Sequence, residues 1–487
     1  MFDTQIEWLV EKLWSTPMVA LVLLLGVYFT IRMAAPQILR VGEMARLLIG
    51  GTGSKQGVSS FQAFAMALGG RIGVGNIAGV ATAIHFGGPG AMFWMWMTAI
   101  VGSAVALAEC SLAQVWKEEV HGEYRGGPAY YIEKGIGWKW MAIAYAAAAV
   151  FACAVTGPSI QAFSIAESVD VAWGIEPWIT GVFVVILFLA VVLGGLKRIG
   201  LVAGLVVPVM AAAYILAGLV VLALNADAVP GMFGLIFASA FGAESMFGGM
   251  LGAVIMWGVR RAIYSSEAGT GSGAQAAAAA EVSHPAKQGL AQGFSVYVDT
   301  LFVCTITGLM ILVTNSYNVE NPDGTTIIEY VPGLSAGPAY TQTAIDTVFP
   351  GVGSSFVAVA MFFFAFTTLL SFAFYADTNV AYIVRNPRWE RICNRVMVFV
   401  LAGSILLGSF RSSDVAWNLA DLGLGLYTWI NLIALVLLSG TAIRVYRDYV
   451  RQRREGRDPV FDPEDVGIHN APVWAKIRER TESDRVR

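Results

Sequence analysis

Apolar positions in this chain arrive in long unbroken runs, without the period of 2 or 3.6 that marks a single buried face in a water-soluble protein. The runs fall at 17–34, 58–86, 90–116, 140–167, 177–195, 199–224, 234–262, 288–314, 350–384, 395–411 and 414–443. Most reach the ~20 residues that an α-helix needs to cross ~30 Å of hydrocarbon. The pattern therefore predicts an all-α polytopic membrane protein of about eleven transmembrane helices. Two runs are interrupted. The second contains Gly69-Gly-Arg-Ile-Gly-Val-Gly-Asn-Ile-Ala-Gly79, with five glycines and Arg71 at mid-membrane depth. Glycine weakens a helix, and a charge in the bilayer needs a partner or water. A helix broken there survives only where protein or a watery cavity surrounds the exposed backbone.

The seventh run repeats the feature in Phe241-Gly-Ala-Glu-Ser-Met-Phe-Gly-Gly-Met-Leu-Gly252. The second and seventh runs cross in opposite directions, as expected of two five-helix halves with inverted topology. The expected organisation is an N-terminal segment with an extra first helix (1–57), a first inverted repeat (58–224), a second (225–443) and a polar tail (444–487). Breaks at matching places in two such halves point to a transporter's binding site. Unwinding frees N–H groups, which suit a carboxylate, and C=O groups, which suit Na⁺ or an ammonium. Asn76 adds an amide that can donate and accept. A zwitterionic amino acid with a sodium ion matches both polarities.

Charge adds orientation. Of the 31 Lys and Arg residues, all but Lys12, Arg71 and Arg411 fall in one alternating set of loops or in the tail. This predicts an external N-terminus and a cytoplasmic C-terminus. The acidic start of the chain is unlike a signal peptide, so the first run is expected to remain. Residues 315–347 hold no Lys or Arg and read as an extracytoplasmic cap, whereas the tail reads as solvated, its arginines near anionic lipid. The glycine- and alanine-rich stretch 265–285 lacks the strand and the Gly-Lys-Ser/Thr ending of a nucleotide loop and is expected to be a cytoplasmic helical connector capped by its serines. Arg71 needs a counter-charge, for which Asp299 or Asp377 is expected, the pair helping to close the inner side of the site. Composition narrows the classes: 56% hydrophobic, 13% charged, mean hydropathy +0.65 and net charge −3 give no basis for nucleic-acid binding. The four cysteines imply no disulfide framework, the four histidines are scattered, and no catalytic or metal-ligand spacing suggests an enzyme.

Several longer motifs carry a resemblance. Gly73-Val-Gly-Asn-Ile-Ala-Gly79, Gly87-Gly-Pro-Gly-Ala91 with Phe93-Trp-Met-Trp96, Glu109 with Leu112-Ala113, Gly127-Gly-Pro-Ala-Tyr-Tyr-Ile132, Ser266-Glu-Ala-Gly269, and Trp417-Asn-Leu-Ala-Asp421 with Asn431-Leu-Ile-Ala-Leu435 resemble the alanine or glycine:cation symporter family. The resemblance implies a fold similar to the leucine transporter, no organic cofactor, and carriage of small neutral amino acids with Na⁺, sometimes H⁺, across a bacterial inner membrane. It implies backbone contacts to the amino acid from Gly73, Gly75, Asn76, Ser245, Phe247, Gly248 and Gly249, and a side-chain contact from Gln161 in Gln161-Ala-Phe-Ser164, where Phe163 stands in place of the family's usual asparagine. It implies a sodium site from the hydroxyls of Thr367 and Thr368 with carbonyls near Gly69 and Ile72. No obligate protein partner is implied. The rival readings are a proton-coupled carrier, with Arg71 and an acidic neighbour replacing the ion, and an amino-acid receptor signalling through its tail.

Overall fold

The computed structural model describes residues 2–49, 57–242, 250–321 and 323–477. In chain order the helices are α1 (Phe2–Leu13), α2 (Thr16–Arg32), α3 (Pro36–Leu39), α4 (Val41–Ile49), α5 (Ser60–Arg71), α6 (Val80–Gly87) and α7 (Ala91–Val115). A hairpin of β1 (Glu118–Val120) and β2 (Glu123–Arg125) follows. Next come α8 (Pro128–Tyr131), α9 (Lys139–Phe151), α10 (Gly157–Trp173), α11 (Pro177–Val192), α12 (Gly195–Leu224), α13 (Val229–Ala240), α14 (Leu251–Ser266), α15 (Ser272–Ala278), α16 (Pro285–Val296) and α17 (Thr305–Val313). A second hairpin, β3 (Asn318–Glu320) with β4 (Thr326–Glu329), leads into α18 (Pro338–Asp346), α19 (Gly353–Ile383), α20 (Pro387–Gly408) and α21 (Ser413–Arg454).

Among the described residues, eight helices are long and apolar enough to span a membrane, nine with the bent α5–α6 pair counted as one. The shorter apolar helices α11 and α13 fill the remaining predicted runs. The layering follows from side-chain size. Outer helices turn leucines outward, as in α12, where Leu205 and Leu216 are exposed as lipid-facing residues must be. Inner helices are built from Ala, Gly and Ser, whose small side chains let backbones approach. α7 and α16 touch in this way: a β-carbon on Gly289 would lie 2.6 Å from the Leu107 carbonyl oxygen.

Two expectations about the arginine-rich side are corrected. The stretch 265–285 does hold a helix, α15, but not one capped by its serines. The helix is wholly buried against α5, α7 and α19, and it starts at Gly271 (φ +85°) without a side-chain cap. Its alanines and glycines are what allow that depth. Nor is the tail merely solvated. Phe461 N–H donates to the Ser283 carbonyl (2.8 Å), and the Ser283 hydroxyl donates to the Pro459 carbonyl (2.8 Å). Trp474 Nε1 donates to the last carbonyls of α7, on Gln114 (3.2 Å) and Val115 (3.1 Å). Asn470 bridges Trp116 Nε1 (2.8 Å) and the Lys134 carbonyl (2.5 Å). On the opposite side the β3–β4 hairpin and α18 meet the end of α6, where His85 Nδ1 lies 3.1 Å from both the Tyr340 hydroxyl and the Asn318 carbonyl.

Candidate substrate and ion site

α5 begins with a reciprocal cap: Ser59 Oγ accepts from Gln62 N–H (3.1 Å) and Gln62 Oε1 accepts from Ser59 N–H (3.0 Å). It ends at Arg71, where Ile72 turns extended (φ −72°, ψ 93°). The chain then resumes through a widened π turn at Gly75–Gly79 into α6, bent by 50°. Side chains take up the freed donors. Gly73 N–H donates to Asn76 Oδ1 (2.8 Å), and Val74 N–H to Gln161 Oε1 (3.3 Å). The other end of the Asn76 amide donates to Asp299 Oδ1 (2.7 Å). Both polar ends of Asn76 are thus spent on holding the break in shape.

The carbonyl side of the break faces α19. Thr368 Oγ1 lies 2.9 Å from the Gly69 carbonyl oxygen and 3.4 Å from that of Ile72, while Thr367 Oγ1 lies 3.5 Å from Gly69 O. Both hydroxyls also reach the Phe364 carbonyl one turn back (3.0 and 3.1 Å). Four buried oxygens therefore converge at the broken end of α5. Hydroxyl and carbonyl oxygens are the ligands a hard cation takes.

Beside this cluster lies a cavity of about 30 Å³, above the ~10–15 Å³ that one water needs. Gly73, Gly75, Gln161 and Thr368 line it, with Arg71 at one edge. Asn76, Gly69, Ile72 and Thr367 do not line it and stand one layer behind. Ser245, Phe247, Gly248 and Gly249 lie outside the described residues. The rest of the wall is one that sequence reasoning did not assign: Cys153 and Thr156 from a second π turn at Ala152–Thr156, Tyr264 and Glu267 near the end of α14, Phe372 of α19, and Tyr427 of α21. Its traces in the sequence are Thr156-Gly-Pro158, a helix-weakening pair inside an apolar run, and Glu267 within Ser266-Glu-Ala-Gly269. Glu267 is buried, and its Oε2 has no hydrogen-bond partner among the described residues.

Arg71 pairs with neither expected carboxylate. Its guanidinium donates to the Ser266 carbonyl (2.5 Å), to Gln292 O and Oε1 (3.2 Å each) and to Ser295 Oγ. Carbonyls and hydroxyls at a helix end thus take up Nε and Nη1 without an ion pair, while Nη2 is buried with no hydrogen-bond partner among the described residues. Asp299 is held instead by Asn76, by the Ser265 hydroxyl (3.0 Å) and by the Thr300 hydroxyl (2.6 Å). Asp377 pairs with Arg125 of β2, on the arginine-rich side.

The separate sequence motifs meet in one buried knot next to this site. Glu109 accepts from the N–H groups of Gly269 (3.4 Å) and Gly271 (3.1 Å) and from Asn431 Nδ2 (3.1 Å). Asn431 also donates to the Gly269 carbonyl (2.8 Å) and accepts from the Tyr131 hydroxyl. The knot ties α7, α8, α21 and the turn before α15 together, with Gly269 two residues beyond Glu267 of the cavity wall.

Comparison with known proteins agrees with this architecture. The profile of the sodium:alanine symporter family matches residues 1–463. YrbD of Bacillus subtilis (strain 168) is 50% identical over 474 residues, covering 97% of this chain and 98% of its own. The "Sodium/proton-dependent alanine carrier protein" of Bacillus sp. (strain PS3) is 45% identical, covering 91% of this chain and 99% of its own. Among solved structures, MhsT in complex with L-phenylalanine, a transporter of the leucine-transporter fold, aligns with a TM-score of 0.52 at 16% identity, over 87% of this chain and 95% of that one, which is a likeness of fold. A match over nearly the whole length, with a relative at half identity, means that the chain belongs to the sodium:alanine symporter family.

Proposed function

We propose that this chain imports a small neutral amino acid, alanine or glycine, together with Na⁺ by alternating access, with its N-terminus outside and its tail in the cytoplasm of a bacterium. The observation that carries this reading is the mixed polarity at the break: the N–H groups of Gly73 and Val74, capped in this structure by the side chains of Asn76 and Gln161, beside the oxygens of Gly69, Ile72, Thr367 and Thr368. The donor side suits a substrate carboxylate, with Gly73, Gly75 and Gln161 as contacts and Asn76 as the brace. The oxygen side suits Na⁺. The glycine-dense stretch 241–252 is proposed as the matching break of a second repeat, 225–443, inverted relative to the first, 58–224. On the inner side we assign the closing contact to Asp377 with Arg125, while Arg71 and Asp299 brace the two half-helices.

One charge moving through ~100 mV supplies ~2.3 kcal/mol, and a tenfold ion gradient adds ~1.4 kcal/mol. Together they sustain roughly 10²- to 10³-fold accumulation of a neutral solute at one ion per substrate. The test is uptake of labelled alanine, glycine and glutamine into proteoliposomes under an imposed Na⁺ gradient. Alanine or glycine uptake that collapses without Na⁺ is expected; uptake indifferent to every cation gradient rejects the reading.

A second reading, proton coupling, is favoured by Glu267, whose free Oε2 sits in the cavity wall close to Gly70 and the Tyr375 hydroxyl. Arg71, Asp299, Tyr145, Tyr264, Tyr375, Tyr427 and Cys153 are the other titratable groups around it. Under this reading Glu267→Gln abolishes uptake driven by a pH gradient and spares uptake driven by Na⁺.

A further inference from the structure

A second and much larger cavity, about 520 Å³, opens on the arginine-rich side between α3, α4 and the last turns of α21. Four arginines line it, Arg40, Arg46, Arg453 and Arg454, against a single carboxylate, Glu43. That carboxylate is already spent. Its Oε2 accepts from Arg40 (2.6 Å), and its Oε1 accepts from the Tyr449 hydroxyl (2.7 Å) and from Arg453 Nε (3.0 Å). Arg46 and Arg454 are exposed and have no ion-pair partner among the described residues. The volume falls within the ~300–1,000 Å³ of ordinary ligand sites. A concave site with this excess of guanidinium takes a phosphate, which matches the planar donor fork.

The position of the cavity identifies the phosphate's carrier. The span that includes α2 ends at Arg32, and Met33 and Ala34 form part of the cavity lining, so the mouth lies at the membrane boundary. Ala34 and Ala35 both adopt left-handed φ (59° and 47°), a turn that brings α3 and α4 back beside α21. The rim on that side is apolar, with Leu39 75% and Ile38 58% exposed where acyl chains would run. We propose that this cleft binds the headgroup of an anionic phospholipid, its phosphate between Arg46 and Arg454 and its chains along Leu39, so that one lipid bridges α4 to α21.

The test uses the purified full-length protein in detergent, with lipid retention read by native mass spectrometry after adding phosphatidylglycerol or phosphatidylcholine. One phosphatidylglycerol should remain bound with about tenfold or greater preference over phosphatidylcholine, and the double variant R46Q/R454Q should lose that preference by about tenfold. The pair R388Q/R391Q, arginines elsewhere on the same side, should keep it. Equal retention of the two lipids, or the same loss in both double variants, overturns the proposal. So does displacement of the lipid by millimolar inorganic phosphate, which would mark a site for a free anion. Monodispersity on size exclusion checks folding, and if the double variant fails it, R46Q and R454Q are read singly by the same criteria.

Discussion

Gly73 has no room for a side chain. A β-carbon there would lie 2.5 Å from Thr368 Oγ1 and 3.2 Å from Gln161 Oε1, between the two groups that serve opposite sides of the break. Gly73→Ala must therefore push α19 or α10 away, an overpacking of about 1–3 kcal/mol, and should weaken alanine uptake by roughly ten- to a hundredfold. Thr368 separates the ion's contribution from the substrate's. Thr368→Ala removes an oxygen that faces both Gly69 and Ile72 and should raise the Na⁺ concentration for half-maximal uptake by about tenfold, whereas Thr368→Ser should stay within about twofold of the parent. Equal losses in both variants at saturating Na⁺ would count against an ion site there. At this scale the sequence is readable where chemistry is local: a Gly-rich interruption with an amide beside it marks a break. It does not say what Asn76 and Arg71 bond to, because Asp299, Gln292 and Ser295 come from more than 200 residues away.

Among elements, the predicted helices are legible because each apolar run carries its own signal, and the docking of polar pieces is not. α15 and the tail are placed by contacts that no local pattern announces, although Phe461 and Trp474 in a charged tail are residues that seldom stay in water. Lys117 sits where these pieces meet. Its ammonium donates to Gln114 Oε1 and the Ala280 carbonyl (2.8 Å each) and lies over the rings of Tyr124 and Trp474, 4.3 and 5.2 Å from their centroids. Burial, opposed by nearby Glu281, pushes it from its ordinary 10.5 down to about 7. Between those values the docked state binds fewer protons than the undocked one, so docking strengthens as pH rises from 7 toward 10 and gains nothing further above that range. Limited proteolysis of the tail should accordingly be slower at pH 9 than at pH 6.5, and Lys117→Met should flatten the difference. A pH dependence of opposite sign would mean that Lys117 stays charged in its niche.

At the scale of the molecule, a cavity of about 30 Å³ is too small for alanine, and among the described residues the β3–β4 hairpin lies beyond α6 on one side while α15, the tail and the Arg125–Asp377 pair lie on the arginine-rich side. The carrier must therefore open, and its own cysteines can report it. Cys153 lines the cavity and is 2% exposed, Cys110 and Cys304 are fully buried, and Cys393 is partly exposed. In a Cys393→Ser background, a small charged methanethiosulfonate should modify Cys153 slowly in the closed form. If ion binding favours a state open to one side, Na⁺ alone should speed that modification, and Na⁺ with alanine should slow it again, because a ligand shifts the equilibrium only through its differential affinity for the two states. Intact-mass analysis distinguishes this from general loosening, in which Cys110 and Cys304 would react as well. Modification of Cys153 at one rate in all three conditions would mean that the space beside Gly73 does not open and close with the transported species, and the site would have to lie elsewhere in the fold.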